Sequence, residues 1–160
     1  MVTMMDARVA WIAVVLAGCA PTYRYSFDLT EPLGSPQLQD NGPQVVSDAD
    51  VQADLRIDAD GDKVVIGVQN KTDQVLQVEW SNITLTRPDG SVTTLRPGDD
   101  VGWVKPGEKV AAELFPVVLP HKGDAAAAYD GRRLQLAVPM IVRRAARTYH
   151  FTFTAHTRKT

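Results

Sequence analysis

The chain of 160 residues carries a single cysteine, Cys19, so no disulfide can close within it and no zinc site built on two or more thiolates can form. It also lacks an excess of either charge. A net charge of −2 gives no overall pull toward nucleic acid or other polyanions. Methionine and histidine are too sparse for a copper-carrying cluster: past the first five residues only Met140 remains, and His121, His150 and His156 are scattered. His150 and His156 share one face of an alternating segment, but at strand rise they stand ~20 Å apart, too far to ligate one metal ion. No G-x-S-x-G elbow, H-E-x-x-H or S-x-x-K occurs, so the common signatures of nucleophilic and zinc catalysis are missing. These absences read as a non-enzymatic protein with no cofactor and no metal. No apolar run reaches the ~20 residues a membrane-spanning helix needs. What remains, 44% apolar and 22% charged residues, is the composition of one globular domain.

The amino terminus is the most specific segment. Arg8 precedes the short apolar run Val9–Leu16, and small residues with the cysteine end that run at once, as in a secretory signal with its cleavage site. The residues Leu16-Ala17-Gly18-Cys19 resemble the lipobox of bacterial lipoproteins, in which the chain is cut before the cysteine and the thiol carries the lipids. Small Ala17 and Gly18 suit a narrow protease site, and several acyl chains at ~0.8 kcal/mol per buried CH₂ would anchor the protein firmly. Asp6 departs from the basic character usual before such a run. The competing reading makes Val9–Cys19 a core element with a buried thiol. Ala20 follows the cysteine, and the family's sorting rule implies the periplasmic face of the outer membrane, with the membrane itself as a partner through the lipid.

These features divide the chain into a signal peptide (1–18), a lipidated Cys19 with a flexible tether (19–46), and a folded domain (47–160). Pro21, Pro32, Pro36 and Pro43 with Gly34 and Gly42 give the tether its character, and a flexible chain of that length would hold the domain ~30 Å from the lipid. Inside it, Tyr23, Tyr25, Phe27 and Leu29 alternate with mostly polar residues. That period of two fits either a short edge strand or an aromatic patch at the lipid interface.

Beyond Val46 the pattern is β. Val51, Ala53, Leu55 and Ile57 alternate with polar residues, and Asp60-Gly61 predicts a type I′ turn into a second strand over Lys63–Gln69. Asn70–Asp73 is a turn before a third strand over Gln74–Trp80, and Pro88-Asp89-Gly90 joins strands over 83–87 and 91–95. Turns at Arg96–Asp100 and Lys105–Glu108 bracket a short apolar piece, and a long strand over 108–118 contains Pro116, a residue tolerated at sheet edges. Asp124, four alanines and Gly131 predict a brief helix with an aspartate cap. Strands around 134–138 and 149–155 close the chain. The expected fold is all-β, an antiparallel immunoglobulin-like β-sandwich of about seven or eight strands with one short helix; a small barrel satisfies the same count.

The run Val68-Gln69-Asn70-Lys71-Thr72-Asp73, then Trp80, Pro88-Asp89-Gly90, Lys105-Pro106-Gly107-Glu108 and Tyr149-His150-Phe151-Thr152-Phe153, resembles a group of uncharacterised bacterial lipoproteins. The likeness spans most of Val64–Phe153. Its motifs are turn and core signals, so it implies a fold and an envelope location but no catalytic residues.

Three sets of residues are candidates for function. Cys19 is the candidate lipid-attachment residue. Asp99, Asp100 and Trp103 lie in a turn-rich loop, the kind of place where a sandwich binds ligands, and paired acids beside an aromatic suit a sugar or a cation. Arg143, Arg144 and Arg147 precede the last strand and offer guanidinium forks to a phosphate-bearing or acidic partner. Charge is unevenly placed along the chain, with nine acids against Arg56 between Asp28 and Asp62, and seven bases without an acid from Gly131 onward. The plainer reading is that these acidic and basic strands neutralise one another in the fold. Asp58, Asp60 and Asp62 alternate as calcium ligands do, but Lys63 and Gln69 stand where an EF-hand needs glycine and glutamate. The functional expectation is a lipid-anchored envelope protein acting through an unidentified protein partner, with a periplasmic solute- or glycan-binding module as the alternative and no role for nucleic acid.

Overall fold

A computed structural model describes residues 20–32 and 42–160. They form eleven antiparallel strands: β1 (Tyr23–Glu31), β2 (Gln44–Ser47), β3 (Val51–Ile57), β4 (Val64–Asn70), β5 (Gln77–Val78), β6 (Thr84–Thr86), β7 (Val92–Thr94), β8 (Arg96–Pro97), β9 (Lys109–Phe115), β10 (Arg133–Val142) and β11 (Ala145–Lys159). One short helix, α1 (Gly123–Ala127), and a 3-10 turn over Trp80–Asn82 complete the elements.

Two sheets face each other. One runs β1-β11-β10-β6-β7 with β5 also on β10, and the other runs β2-β3-β4-β9-β8. The order β3-β4-β9-β8 over β6-β10-β11 is that of an immunoglobulin sandwich, with β7 beside β6 and with β1 and β2 added at the edges. Alternation dictates the packing: Val51, Ala53, Leu55 and Ile57 of β3 point inward, as do Val64, Ile66 and Val68 of β4 and Phe151, Phe153 and Ala155 of β11. Each large side chain buried in this way contributes ~1.5–3 kcal/mol of transfer free energy. Among the described residues no helix is long and apolar enough to cross a membrane.

Several local expectations need correction. The tether expected over 19–46 is instead structured over 23–31 and 44–47: β1 pairs with β11 from Tyr23↔Lys159 to Glu31↔Thr152, and Tyr25, Phe27 and Leu29 enter the core. The folded unit therefore begins ahead of residue 47. The Tyr25 ring stacks on Phe27 at 5.6 Å, and its hydroxyl donates to the Pro120 carbonyl. Burial pushes that phenol up to about 12, with the nearby Tyr129 adding to the rise. The strand predicted over 74–80 shrinks to Gln77–Val78, because the chain turns at Trp80 to bury the indole.

The β3–β4 turn is longer than a two-residue I′ loop. The Asp58 carboxylate accepts the Asp62 N–H at 2.8 Å, and the Gly61 N–H donates to the Asp58 carbonyl. Asp124 is not the helix cap; it sits in the first turn, with Lys122 at the cap position. Two flanks are closed without regular ladders. On one, the buried Gln44 amide accepts from the Leu29 N–H at 2.7 Å and donates to the Phe27 carbonyl at 3.0 Å, so a side chain completes the edge of β1. On the other, the chain passes from β7 to β8 through fully buried Leu95.

Candidate functional site

The loops after β4 and β10 meet at one end of the sandwich, and their meeting point is Asp50, just ahead of β3. Its carboxylate, 12% exposed, accepts from Arg143 Nε at 2.8 Å and from Arg147 Nη1 at 2.9 Å. Arg143 also lies 3.6 Å from Asp73. The hydrogen bond from Arg143, reinforced by Arg147, holds the Asp50 carboxyl below its ordinary range. The Asp50 bond raises Arg143 in turn, and the Tyr149 hydroxyl with Asp50 raises Arg147. Tyr149 itself is raised first by burial, and its hydroxyl donates to Asp48 at 3.1 Å. Of the three arginines only Arg144 is without a carboxylate partner among the described residues. The charge asymmetry of the sequence is thus partly cancelled here by a pairing that spans more than ninety residues of chain.

The turn carrying these arginines is unusual. Arg143 and Arg144 both have positive φ, 49° and 64°, between the closing pair Val142 and Ala145. That is the backbone of a type I′ hairpin, which favours Asn-Gly and costs other L-residues ~1 kcal/mol or more each.

Asn70 ties the neighbouring loops together. Fully buried, it donates from Nδ2 to the Gln74 and Val104 carbonyls at 2.7 and 2.9 Å, and its Oδ1 accepts from the Thr72 N–H and hydroxyl at 2.9 and 2.7 Å. This explains why an Asn-Lys-Thr-Asp sequence makes the turn: only a side-chain amide offers donors and an acceptor together.

Asp99, Asp100 and Trp103 are not gathered into one pocket. Asp99 lines a groove of about 390 Å³ between the 98–101 segment and β9, with Val65, Gly98, Val101, Ala111 and Phe115. Asp100 and Trp103 lie outside that lining, and Trp103 is 66% exposed while its neighbour Val104 is buried and bonded to Leu76. The sequence reading missed Phe115, whose outward position is set by the alternation Lys109, Ala111, Glu113, Phe115 along β9.

A second depression, about 210 Å³, adjoins the first through Val65 and Ala111. There Lys109 pairs with Asp54 across Gly67, where an added Cβ would come within 3.1 Å of the Lys109 chain. A third, also about 210 Å³ and mostly apolar, lies between the sheets beside Pro32, Val46, Val51 and Phe151. Next to it, β11 from Ala145 to Phe151 pairs with β10 on one side and, among the described residues, with no strand on the other.

The two strand histidines serve different surroundings. His156 lies 3.0 Å from Asp28, while His150 borders the apolar depression. His121 lies 3.6 Å from Asp62. Cys19 and the lipobox fall outside the described residues. Compared with known proteins, the chain matches no family model and no curated protein.

Proposed function

We propose that the protein is a lipid-anchored component of a bacterial cell envelope, held by Cys19, whose sandwich is a non-enzymatic module for protein interaction or envelope assembly. The observation that carries this reading is Leu16-Ala17-Gly18-Cys19 at the end of a short apolar run. The interaction half is supported by the edge of β11 over Ala145–Phe151, which among the described residues pairs with no second strand and lies beside an apolar depression, as strand-addition sites do. By the sorting behaviour that the lipobox implies, the location is the periplasmic face of the outer membrane. Growth with a tagged palmitate tests the anchor. Wild-type chain takes up label and the Cys19→Ala chain does not; equal labelling of the two overturns the reading.

A second reading, a solute- or glycan-binding module, draws support from the groove that Asp99 and Phe115 line. An aromatic ring over an apolar floor with a carboxylate at the rim is the make-up of a small-molecule site. A thermal-shift screen against periplasmic solutes and glycans tests it. Stabilisation abolished by Phe115→Ala supports it, and stabilisation by none of them, or stabilisation that survives Phe115→Ala, overturns it.

A further inference from the structure

We infer that the end of the sandwich built from Thr22, Lys122 and the close of β11 rests against the phosphate layer of the membrane that holds Cys19. The inference rests on the lipid anchor proposed above and adds an orientation and a contact surface to it.

Covalent reach is the first argument. The Pro21 carbonyl accepts from the Gly123 N–H at 2.9 Å, the Thr22 carbonyl accepts from the Thr160 N–H at 3.0 Å, and the Tyr23 N–H donates to the His121 carbonyl at 2.9 Å. The chain is therefore fastened to the domain from Pro21 onward. Two residues fully extended span at most ~7 Å, so Pro21 stands within that distance of the Cys19 Cα whatever the conformation between them. A lipidated Cys19 thus leaves no spacer, in place of the ~30 Å a free tether would give.

Charge is the second argument. The register of β1 on β11 sets Tyr23 opposite Lys159 and Arg24 opposite Arg158, and Thr22 bridges to Lys122. All four cations are exposed. Arg24 makes a loose pair with Asp60 at 3.7 Å, both side chains more than 60% exposed. Lys122, Arg158 and Lys159 have no carboxylate within ion-pair distance among the described residues. Besides Asp60, the acids near this end among the described residues include Asp62, near His121, Asp124, in the first turn of α1, and Asp130, whose carboxylate accepts from the Thr157 N–H at 2.8 Å. A hollow of about 490 Å³ lies among Thr22, Tyr23, Arg24, Asp60, His121 and Thr160, open enough for a lipid headgroup. At the far end the arrangement is opposite, since Arg143 and Arg147 are engaged by Asp50.

The test uses the full-length gene product, purified in lipidated form and reconstituted in vesicles of phosphatidylcholine with a minor fraction of phosphatidylglycerol. Thr160→Cys and Ala146→Cys variants carry a fluorophore on the new thiol, with Cys19 blocked by its lipid, and the vesicles contain a headgroup-nitroxide quencher. The two positions stand ~46 Å apart at the rise of a β-strand. The label at 160 is expected to be quenched several-fold more than the label at 146. Each cation at an anionic surface favours contact about five-fold, so Lys122→Gln, Arg158→Gln and Lys159→Gln together lower the ratio of apposed to lifted domain on the order of 100-fold. Arg144→Gln, a charge removed at the other end, is expected to change nothing.

Equal quenching at both positions, or quenching at 160 that the triple variant leaves intact, overturns the contact while the anchor stands. An intact mass without lipid on Cys19 overturns the anchor and the contact with it.

Discussion

Asp50 and the two arginines on it show at the scale of single residues what the sequence concealed. Arg143-Arg144-Arg147 is legible as a cationic cluster, but the partner of Arg143 and Arg147 lies 93 and 97 positions away, and no local pattern marks one acid among the nine between Asp28 and Asp62 as the one that folds beneath the hairpin. The pairing has a pH signature. Because the folded carboxyl titrates below its ordinary value of ~3.9, its stabilisation is complete at neutral pH and fades as pH falls from about 4 toward the folded value. Asp50→Asn is therefore expected to lower stability at pH 7 and to flatten the acid limb of a denaturant-midpoint-against-pH curve; an unchanged limb would show that Asp50 does not carry it. Backbone strain predicts the opposite sign one residue beyond Arg143. Arg144 has no carboxylate partner among the described residues and sits at φ 64°, so Arg144→Gly should stabilise by ~1 kcal/mol in urea unfolding. Asn70 was readable as a turn residue but not as the tie between two loops. Removing its four side-chain hydrogen bonds with Asn70→Ala is expected to cost ~2–4 kcal/mol.

Among the elements, the strands with clean alternation were the readable ones. The inward set of β3 and the closing Tyr149–Ala155 pattern of β11 are where periodicity put them, because one face of each is buried and the other wet. The strand predicted over 74–80 failed for a tertiary reason, the turn that buries Trp80. β1 was ambiguous because prolines crowd its surroundings, and what decides in its favour is the long partner strand β11, whose paired stretch from Thr152 to Lys159 lies more than a hundred positions further along the chain and is invisible to any local window. Its membership in the core is testable. Phe27→Ala is expected to cost ~3–5 kcal/mol, as for a buried aromatic, whereas the same change in a tether costs nothing measurable. Gln44 gave no signal at all in the sequence, because a glutamine that completes a strand edge looks like any polar residue. Gln44→Ala leaves the Leu29 N–H buried without that acceptor and should cost ~2–3 kcal/mol by denaturant unfolding.

For the whole molecule, the sandwich has two unlike ends. At one, Asp50 and Asn70 knit the loops together and absorb arginine charge; at the other, the chain leaves toward Cys19 among exposed cations. The lone cysteine excludes disulfides and thiolate clusters, and the structure adds that the domain is fastened to within two residues of it. The proposed lipidation and orientation, with the β11 edge over Ala145–Phe151 that pairs with no second strand among the described residues, make one proposed arrangement: a sandwich that would stand on the membrane by its Thr22 end, with the β10–β11 hairpin pointing away from the lipid. The groove beside Asp99 lies on the flank of that arrangement, accessible from the side. Everything in it depends on the chemical state of Cys19, which the mass of the amino-terminal peptide from the mature protein in its native envelope reads directly. The account predicts a peptide that begins at Cys19 and carries a thioether-linked diacylglycerol; a mature protein that retains residues 1–18 with an unmodified Cys19 would contradict it.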